Sequence, residues 1–279
     1  MKLTPTCYEC LRRLIRQAAE LATDDISLRQ KAISEAMKIL DSEFSYSQLS
    51  IVIATEIHKI VREVTNNPNP YRAMKEKEMT LARESYRQLR HRNEDDLGGC
   101  LQLAAAANAI DFFTEASSIR QNISEPVSFA LDDSEQFEVK LKDAGKVLYL
   151  ADNAGELYFD LPLVKQIRQF SPVIYVVKPS PVQDDLTLED VRRSGLESEL
   201  GQVITTGIAS PGIILSQASA QFKQEFESAD LIFAKGMGNY EALSEFPPEE
   251  KFFYCLKAKC QPVADSLGVP INSYVAMLE

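Results

Sequence analysis

The first half of the chain has the apolar periodicity of helices. Apolar side chains recur at intervals of three and four, as in Leu11, Leu14 and Ala18, and this spacing places them on one face of a helix. Residues 66–70, Asn-Asn-Pro-Asn-Pro, interrupt the pattern with residue types that favour turns and stop helices. We therefore predict a helical N-terminal domain over residues 1–135, with a loop at 66–70.

The pattern changes in the second half of the chain. Short apolar runs rich in Val, Ile, Leu and Tyr alternate with helical stretches, as in sheets whose strands are buried on both faces and joined by helices. We predict an α/β fold over residues 136–279, with helices on both faces of a mostly parallel sheet. The expected strands are 147–151, 173–177, 203–205, 231–234 and 252–256, and helices between them include 157–170 and 213–226.

The composition is that of a globular protein, with 45% hydrophobic and 25% charged residues. The net charge of −11 disfavours a general nucleic-acid binder, which needs a basic face. No stretch approaches the roughly 18 apolar residues of a membrane span, and the first residues lack the apolar core of a signal peptide. We expect a cytoplasmic protein that binds neither nucleic acid nor membrane.

Five cysteines in 279 residues do not form the dense pattern of a disulfide-stabilised domain. Cys7 and Cys10 form a Cys-x-x-Cys motif at the start of a predicted helix, where such a pair can lower a thiol pKa or supply two zinc ligands. The sequence contains no second motif of this kind. A structural role, or no role, is an equally good interpretation of the pair.

In open α/β sheets, ligands bind beyond the carboxyl ends of the strands, and three predicted strands end in polar residues. The first strand is followed by Asp152, Asn153, Ala154, Gly155 and Glu156. A carboxylate beside an amide offers two oxygens to a hard cation, and the glycine allows a sharp turn near a ligand. The alternative is that Asp152 or Asn153 merely caps the following helix.

The second polar junction follows residue 177. It places Asp184 and Asp185 in a Pro-rich loop before a helix that contains Asp190. Both acids therefore lie at the edge of the sheet where a ligand is expected. The alternative is again a helix cap, with Asp185 as the N-cap near Thr187.

The third junction follows the strand at 231–234 and reads Lys235-Gly236-Met237-Gly238-Asn239. A lysine at a strand end, followed by two glycines, can place its ammonium and several backbone N–H groups around a phosphate. The spacing is not that of a Walker motif. A solvated surface lysine is the alternative interpretation.

Three motifs together resemble the damage-control phosphatases, also known as domain of unknown function eighty-nine. They are Ala-Asp-Asn-Ala-Gly-Glu at 151–156, Pro-Val-Gln-Asp-Asp at 181–185 and Ala-Lys-Gly-Met-Gly-Asn at 234–239. The N-terminal Cys-x-x-Cys resembles the prokaryotic branch of that family. The likeness covers nearly the whole chain, and extends to residues 260–269 and to Asn108 and Asp111 in an alanine-rich helix predicted at 101–113.

The resemblance implies a helical part packed on a Rossmann-like three-layer α/β/α domain, in an enzyme that hydrolyses small phosphorylated metabolites. A divalent cation would be held by Asp152, Asn153 and Asp185, with Mg²⁺ or Mn²⁺ suited to these oxygen ligands and Ni²⁺ or Co²⁺ as further candidates. Lys235 would hold the phosphate. The other residues implied in substrate or phosphate binding are Gly236, Gly238, Asn239, Asn108, Asp111 and Glu156.

The sequence departs from the expected family pattern at several positions. Asp184 stands where asparagine is expected and Asn69 where aspartate is expected, while Pro179, Ser180 and Ala107 replace glycines. None of these positions belongs to the predicted metal ligands. We therefore expect differences in the loops that shape the substrate site.

The predicted mechanism relies on positive charge concentrated at one place, because an acidic protein must bind a phosphate dianion. The cation and Lys235 would supply that charge. We favour direct attack by water, with Asp184, Asp190 and Glu156 as candidates for proton transfer.

Two rival functions come from other classes. A methyltransferase is disfavoured because no Gly-x-Gly-x-x-Gly run follows the first predicted strand. A non-catalytic metal-binding or regulatory protein would use Cys7 and Cys10. Metal analysis combined with a phosphatase screen separates the three.

Overall fold

The computed structural model describes residues 1–89, 96–109 and 127–279 of the chain. Asp111, predicted as a site residue, lies outside these ranges. The loop predicted at 66–70 is confirmed, because it separates the third and fourth helices. The N-terminal helices of the described residues are α1 (Pro5–Ala22), α2 (Ile26–Glu43), α3 (Ser50–Thr65), α4 (Arg72–Leu89) and α5 (Leu97–Ala107).

The first three helices bury the apolar faces that their spacing predicts. Leu11 and Ile15 of α1 pack in one cluster with Leu40 of α2 and Ile57 of α3, and all four side chains are buried. Each contributes roughly 1.5–3 kcal/mol through removal from water. Ile51, at the start of α3, packs instead in the core of the α/β part. Helix α3 therefore joins the two parts of the molecule.

The second part is built on a seven-stranded sheet in the order β1-β7-β6-β5-β2-β3-β4. Neighbouring strands are parallel except β6 and β7, which are antiparallel. The predicted α/β fold with a mostly parallel sheet is thus confirmed. The strands are β1 (Phe129–Asp132), β2 (Val147–Leu150), β3 (Val173–Val177), β4 (Gln202–Thr205), β5 (Leu231–Lys235), β6 (Phe252–Lys257) and β7 (Tyr274–Leu278).

Successive side chains of the central strands point to opposite faces, and each face is covered. On one face, the ring of Tyr149 stacks on that of Phe233 with centroids 4.6 Å apart. On the other face, Leu148 and Ile232 pack in the same cluster as Phe222. The helices of this part are α6 (Ser134–Asp143), α7 (Leu157–Ile167), α8 (Leu188–Ser194), α9 (Glu197–Leu200), α10 (Ala220–Ser228), α11 (Gly236–Leu243) and α12 (Gln261–Leu267).

Two strands, β1 and β7, are absent from the sequence-based prediction. The four residues of β1 alternate between half-buried and exposed, and only two of the five in β7 are fully buried. Neither strand has the continuous burial of a central parallel strand.

Strand β1 precedes the domain boundary predicted at 135/136, and α5 packs in the same core as the central strands. The α/β core thus begins earlier in the chain than expected.

The strand order places a ligand site beside β2. The chain passes from β2 to β3 on one side and later returns through β5 to the other side. Such a reversal is a topological switch point, where loops after neighbouring strands diverge and leave room for a ligand. Asp152 follows β2, and Gly236 follows β5.

In the described ranges, no helix has both the length and the apolar composition needed to cross a membrane.

Candidate functional site

The loops after β2 and β3 are joined by backbone hydrogen bonds. The N–H of Leu186 donates to the carbonyl of Asp152, and the N–H of Ala154 donates to the carbonyl of Asp184, each at 2.8 Å. Asn153 and Asp185 pair between these bonds in an isolated antiparallel bridge. The three predicted metal ligands are thereby brought together, although more than thirty residues separate the first from the last.

The side chains of Asp152 and Asn153 do not cap the next helix. Asn153 precedes a short 3₁₀ turn (Ala154–Glu156), but its side chain makes no capping bond. Its Nδ2 instead donates to Oε1 of Glu156 at 2.9 Å and to Oδ2 of Asp152 at 3.4 Å. This arrangement uses the amide N–H groups within the protein, so Oδ1 is the atom suited to a cation. The capping alternative is therefore wrong for this junction.

The capping alternative is also wrong for Asp185. Helix α8 is capped by Thr187, whose hydroxyl accepts the N–H of Asp190 while the Asp190 carboxylate accepts the N–H of Thr187. Asp185 forms a buried ion pair with Lys178, with Oδ2 and Nζ 3.5 Å apart. Its carbonyl accepts a hydrogen bond from Nζ of Lys75 at 2.7 Å. These contacts hold its carboxylate at the edge of the sheet.

The acids of this edge are held away from water and close to one another. Burial, together with the charges of Glu156 and Asp185, raises the pKa of Asp152 well above its ordinary value. Burial and the charge of Asp185 raise the pKa of Asp184 to about 7. Burial raises the pKa of Asp185 to about 6, against the opposing charges of Lys178 and Lys75. The cluster therefore has more negative charge than its lysines neutralise.

The loop after β5 lies directly against the Asp152 carboxylate. Gly236 has a φ of 74°, and a Cβ built on it would be 1.8 Å from Oδ2 of Asp152. A Cβ on Gly238 would likewise be 2.1 Å from the carbonyl oxygen of Pro211. Both predicted glycines are thus required by close approach. Helix α11 begins at Gly236, so its first N–H groups, which lack partners within the helix, lie at this edge.

Lys235 does not occupy the position expected for a phosphate ligand, and this part of the prediction is corrected. Its side chain is 0% exposed. The ammonium donates to the carbonyl of Ala104 at 2.5 Å and contacts Oδ1 of Asp160 at 3.0 Å and Oε2 of Glu156 at 2.7 Å. A buried ammonium is stable only when it is paired in this way.

The charges around Lys235 keep it protonated. Burial alone lowers the pKa of Lys235, but the charges of Asp160 and Glu156 outweigh burial and raise it above the ordinary value. The phenol of Tyr175 donates to the other oxygen of Asp160 at 3.1 Å. Lys235 is thus the counter-ion of a buried network beneath the predicted metal ligands.

Asn108 and Glu156, predicted to bind substrate, have supporting positions instead. Nδ2 of Asn108 donates to Oδ2 of Asp152 at 3.0 Å and to Oε1 of Glu156 at 2.8 Å, while its Oδ1 accepts the N–H of Lys257 at 3.0 Å. Asn239 donates to the carbonyls of Lys235 and Ala151. The two amide groups therefore orient Asp152 and the loop after β5, and they do not point into open space.

Three buried residues of the site are missing from the sequence-based prediction. Asp160 lies four residues after Glu156 within an apolar helix, and a lone carboxylate in such a helix is the feature that identifies it. Lys75 and Lys178 lie in α4 and in the loop after β3. Their partners are distant in the sequence, so only the fold reveals their roles.

Cys7 and Cys10 lie in the first turns of α1. All five cysteines are free thiols, and Sγ of Cys7 accepts the N–H of Thr4 at 3.4 Å. Within the ranges that the structure covers, no three His, Cys, Asp or Glu side chains form a group that could hold a metal ion. The predicted metal ligands are two carboxylates and one amide.

The raised pKa of Asp184 predicts how the metal-free protein responds to pH. The folded state binds a proton on Asp184 below about pH 7, whereas the unfolded state does so only near the ordinary value of 3.8. Stability is therefore lost progressively as pH rises from about 4 to about 7. Asp184→Asn should raise the free energy of unfolding at pH 8 by about 1–3 kcal/mol and by clearly less at pH 5.

Urea denaturation in the presence of chelator at both pH values measures this difference. Asp143→Asn, at an exposed position of α6, is the matched control and should change stability equally at both. Equal effects of Asp184→Asn at pH 5 and pH 8 would contradict the description of a buried, proton-binding acid.

Comparison with known proteins gives consistent matches over the full chain. Residues 3–275 match the family described as Damage-control phosphatase ARMT1-like domain. A damage-control phosphatase of Pyrococcus horikoshii is 34% identical, covering 99% of this chain and 98% of its own length. One from Archaeoglobus fulgidus is 31% identical, covering 99% of both chains. An uncharacterised protein of Methanocaldococcus jannaschii is 35% identical, over 99% of this chain and 95% of its own.

A solved structure supports the same relationship. The crystal structure of a DUF89 family protein from Pyrococcus horikoshii, at 2.04 Å resolution, superposes with a TM-score of 0.91 and 32% identity. The match covers 100% of this chain and 99% of the other. Since both the sequence match and the structural match extend over nearly the entire length, the chain belongs to the damage-control phosphatase family, also called DUF89.

Proposed function

We propose that the protein is a divalent-metal-dependent phosphatase that hydrolyses small phosphorylated metabolites in metabolite damage control. Relatives named damage-control phosphatases support the phosphatase activity. The observation that carries the metal dependence is the pairing of the loops after β2 and β3, which brings Asp152, Asn153 and Asp185 together at the switch point of the sheet.

The chemistry of this site fits a hard divalent cation. Two carboxylates and an amide oxygen are the ligand types preferred by Mg²⁺ and Mn²⁺, and Ni²⁺ or Co²⁺ also bind such ligands. The pKa of Asp152 is raised by burial and by neighbouring acids, which indicates negative charge that the protein leaves uncompensated. A cation held by Asp152, Asn153 and Asp185 would supply Lewis-acid stabilisation for phosphoryl transfer.

The chain's own groups position the phosphate. Helix α11 begins at Gly236, which lies against the Asp152 carboxylate, and helix N-termini favour anions. Asn108 and Asn153 hold the Asp152 carboxylate in one orientation through their N–H donors. Such preorganised groups stabilise the transition state without rearrangement during the reaction.

Asp184 is the best candidate for proton transfer among the three acids considered from the sequence. Glu156 is bonded to three side chains, and Asp190 is bonded to Lys75 and Thr187. Oδ2 of Asp184 is buried and has no hydrogen-bond partner among the described residues. A carboxyl with a pKa of about 7 can both accept and release a proton near neutral pH.

The rival functions receive less support. The turn after β2 contains the paired acid and amide rather than a glycine-rich dinucleotide loop, which disfavours a methyltransferase. A regulatory metal site at Cys7 and Cys10 lacks further ligands among the described residues. Neither rival accounts for the acids at the switch point.

The direct test is hydrolysis of a panel of metabolites with and without metal. We expect sugar phosphates or nucleotide-sized monoesters to be hydrolysed with added Mn²⁺ or Mg²⁺, and the activity to disappear with chelator. Phosphopeptides and nucleic acids should not be substrates, because the net charge of −11 disfavours binding of these large anions. Full activity of the metal-free protein would overturn the proposed metal dependence.

A further inference from the structure

A cleft lies between the helical part of the molecule and the loop after β3. Its walls come from the second half of α3, from the loop before α4 and from the segment just before Asp184. The volume of the cleft is about 200 Å³, including the part that is open to solvent. The polar side chains that line it include His58, Arg62, Asn69 and Gln183.

Arg62 brings a positive charge to this cleft that no acid of the described ranges neutralises by an ion pair. Its half-buried guanidinium donates to the carbonyl of Pro181. Burial lowers the pKa of Arg62, and the charge that opposes this effect is that of the adjacent, exposed Glu63. By contrast, each lysine buried in the proposed site forms an ion pair with an acid. A partly desolvated cation without an acid favours an anionic ligand.

Asn69 lines the same cleft with a neutral amide, so it does not compensate Arg62. Its Oδ1 is buried and accepts no hydrogen bond from the described residues. The amide also carries an NH₂ group, which donates two hydrogen bonds. A guanidinium and an amide at one cleft together form a donor-rich lining, and such a lining suits an acceptor with two oxygens.

The wall formed by Gln183 is fixed in a strained conformation. Gln183 has a φ of 45°, in the left-handed region that non-glycine residues seldom adopt. Its Nε2 donates to Nε2 of His58 at 3.0 Å. Burial lowers the pKa of His58 to about 3, so the ring is neutral near pH 7 and can accept this bond. The cleft is thus shaped before a ligand binds, which favours binding.

The turn that forms this wall also carries acids of the proposed metal site. The N–H of Asp185 donates to the carbonyl of Val182 at 3.2 Å, and this bond closes a turn around Gln183 and Asp184. The cleft therefore adjoins the segment that positions Asp185. A substrate whose phosphoryl group is at the proposed metal can extend along this turn to Arg62.

We propose that the cleft binds a carboxylate on the leaving group of the substrate, so that the preferred substrates are phosphorylated carboxylic acids. This inference rests on the proposed function and names its substrate class. The planar guanidinium of Arg62 matches a carboxylate with two parallel hydrogen bonds, and the amide of Asn69 donates another. Hydrolysis of the P–O bond by water then releases a free hydroxy acid and inorganic phosphate.

Equilibrium titration with phosphonates tests the preference, because their P–C bond is not hydrolysed during the measurement. The probes are phosphonopropionate and phosphonobutyrate, each compared with the alkylphosphonate of equal length, propylphosphonate or butylphosphonate. In Mn²⁺-saturated protein, the better of the two carboxylates should bind about 10- to 100-fold more tightly than its alkyl counterpart, the ratio expected for one charge-assisted contact.

Variants of the cleft should change this ratio without changing the binding of alkylphosphonates. Arg62→Met should abolish the preference, whereas Arg62→Lys should keep part of it, because lysine retains the charge but not the planar fork. Asn69→Asp should also reduce the preference, since it gives Arg62 an acid within the protein. Arg193→Met, which removes an exposed arginine paired with Glu189, is the matched control and should bind like the parent.

Two outcomes would show that the inference is wrong while the proposed function stands. One is a parent protein that does not prefer the carboxylates. The other is an Arg62→Met variant that weakens the binding of all four phosphonates equally, because Arg62 then only holds the loop through Pro181. If the parent binds none of the phosphonates and hydrolyses no phosphate monoester of the metabolite panel, both the inference and the proposed function are overturned.

Discussion

Asp152→Ala is expected to abolish metal binding and turnover together. The carboxylate accepts hydrogen bonds from Asn108 and Asn153 and lies against Gly236, so three separate segments fix its position. Loss of a metal ligand should weaken Mn²⁺ binding by more than the roughly 10- to 100-fold typical of outer-shell changes. Loss of the cation removes several kcal/mol of transition-state stabilisation, a factor of about 10³ or more in kcat.

Calorimetric titration with Mn²⁺ and a phosphatase assay on the same preparations measure both effects. Asp143→Ala, at an exposed position of α6, is the matched control and should retain full activity. Without metal, Asp152→Ala should be at least as stable as the parent, because the change removes an acid whose pKa is raised by burial. An Asp152→Ala variant that binds Mn²⁺ and turns over substrate like the parent would show that the site is elsewhere.

Lys235→Met should destabilise the protein strongly. The change leaves Glu156 and Asp160 buried without the ammonium that they share. Breaking a buried ion pair by removing one partner typically costs about 3–5 kcal/mol. We therefore expect a loss of at least about 3 kcal/mol near neutral pH, and a smaller loss at low pH, where the carboxylates can take up protons.

Chemical denaturation followed by circular dichroism measures this loss. Adding Glu156→Gln and Asp160→Asn to Lys235→Met should restore much of the stability, since the uncompensated charges are then removed. Lys165→Met, which breaks an exposed pair with Glu199, should cost less than about 1 kcal/mol. A cost as small as that for Lys235→Met would contradict the buried network.

Much of the fold follows from the sequence because its determinants are local. The spacing of Leu11, Leu14 and Ala18 and the continuous apolar runs of the central strands report burial on one face or on two. The apolar pattern does not predict strands β1 and β7, because they are only partly buried and their place in the sheet depends on partners distant in the chain.

The sequence by itself determined the α/β class, the polar strand ends and the family resemblance. Asp152, Asn153, Asp184 and Asp185 stood out as candidates because strands that are parallel in a sheet end at a common edge. The choice of Asp152, Asn153 and Asp185 as metal ligands came from the family resemblance. Only the tertiary structure decided where each charge lies. Lys235 looks available for phosphate in the sequence, but desolvation makes an unpaired ammonium costly, so the fold places it between Glu156 and Asp160. Such pairing joins residues far apart in the chain, and no local pattern records it.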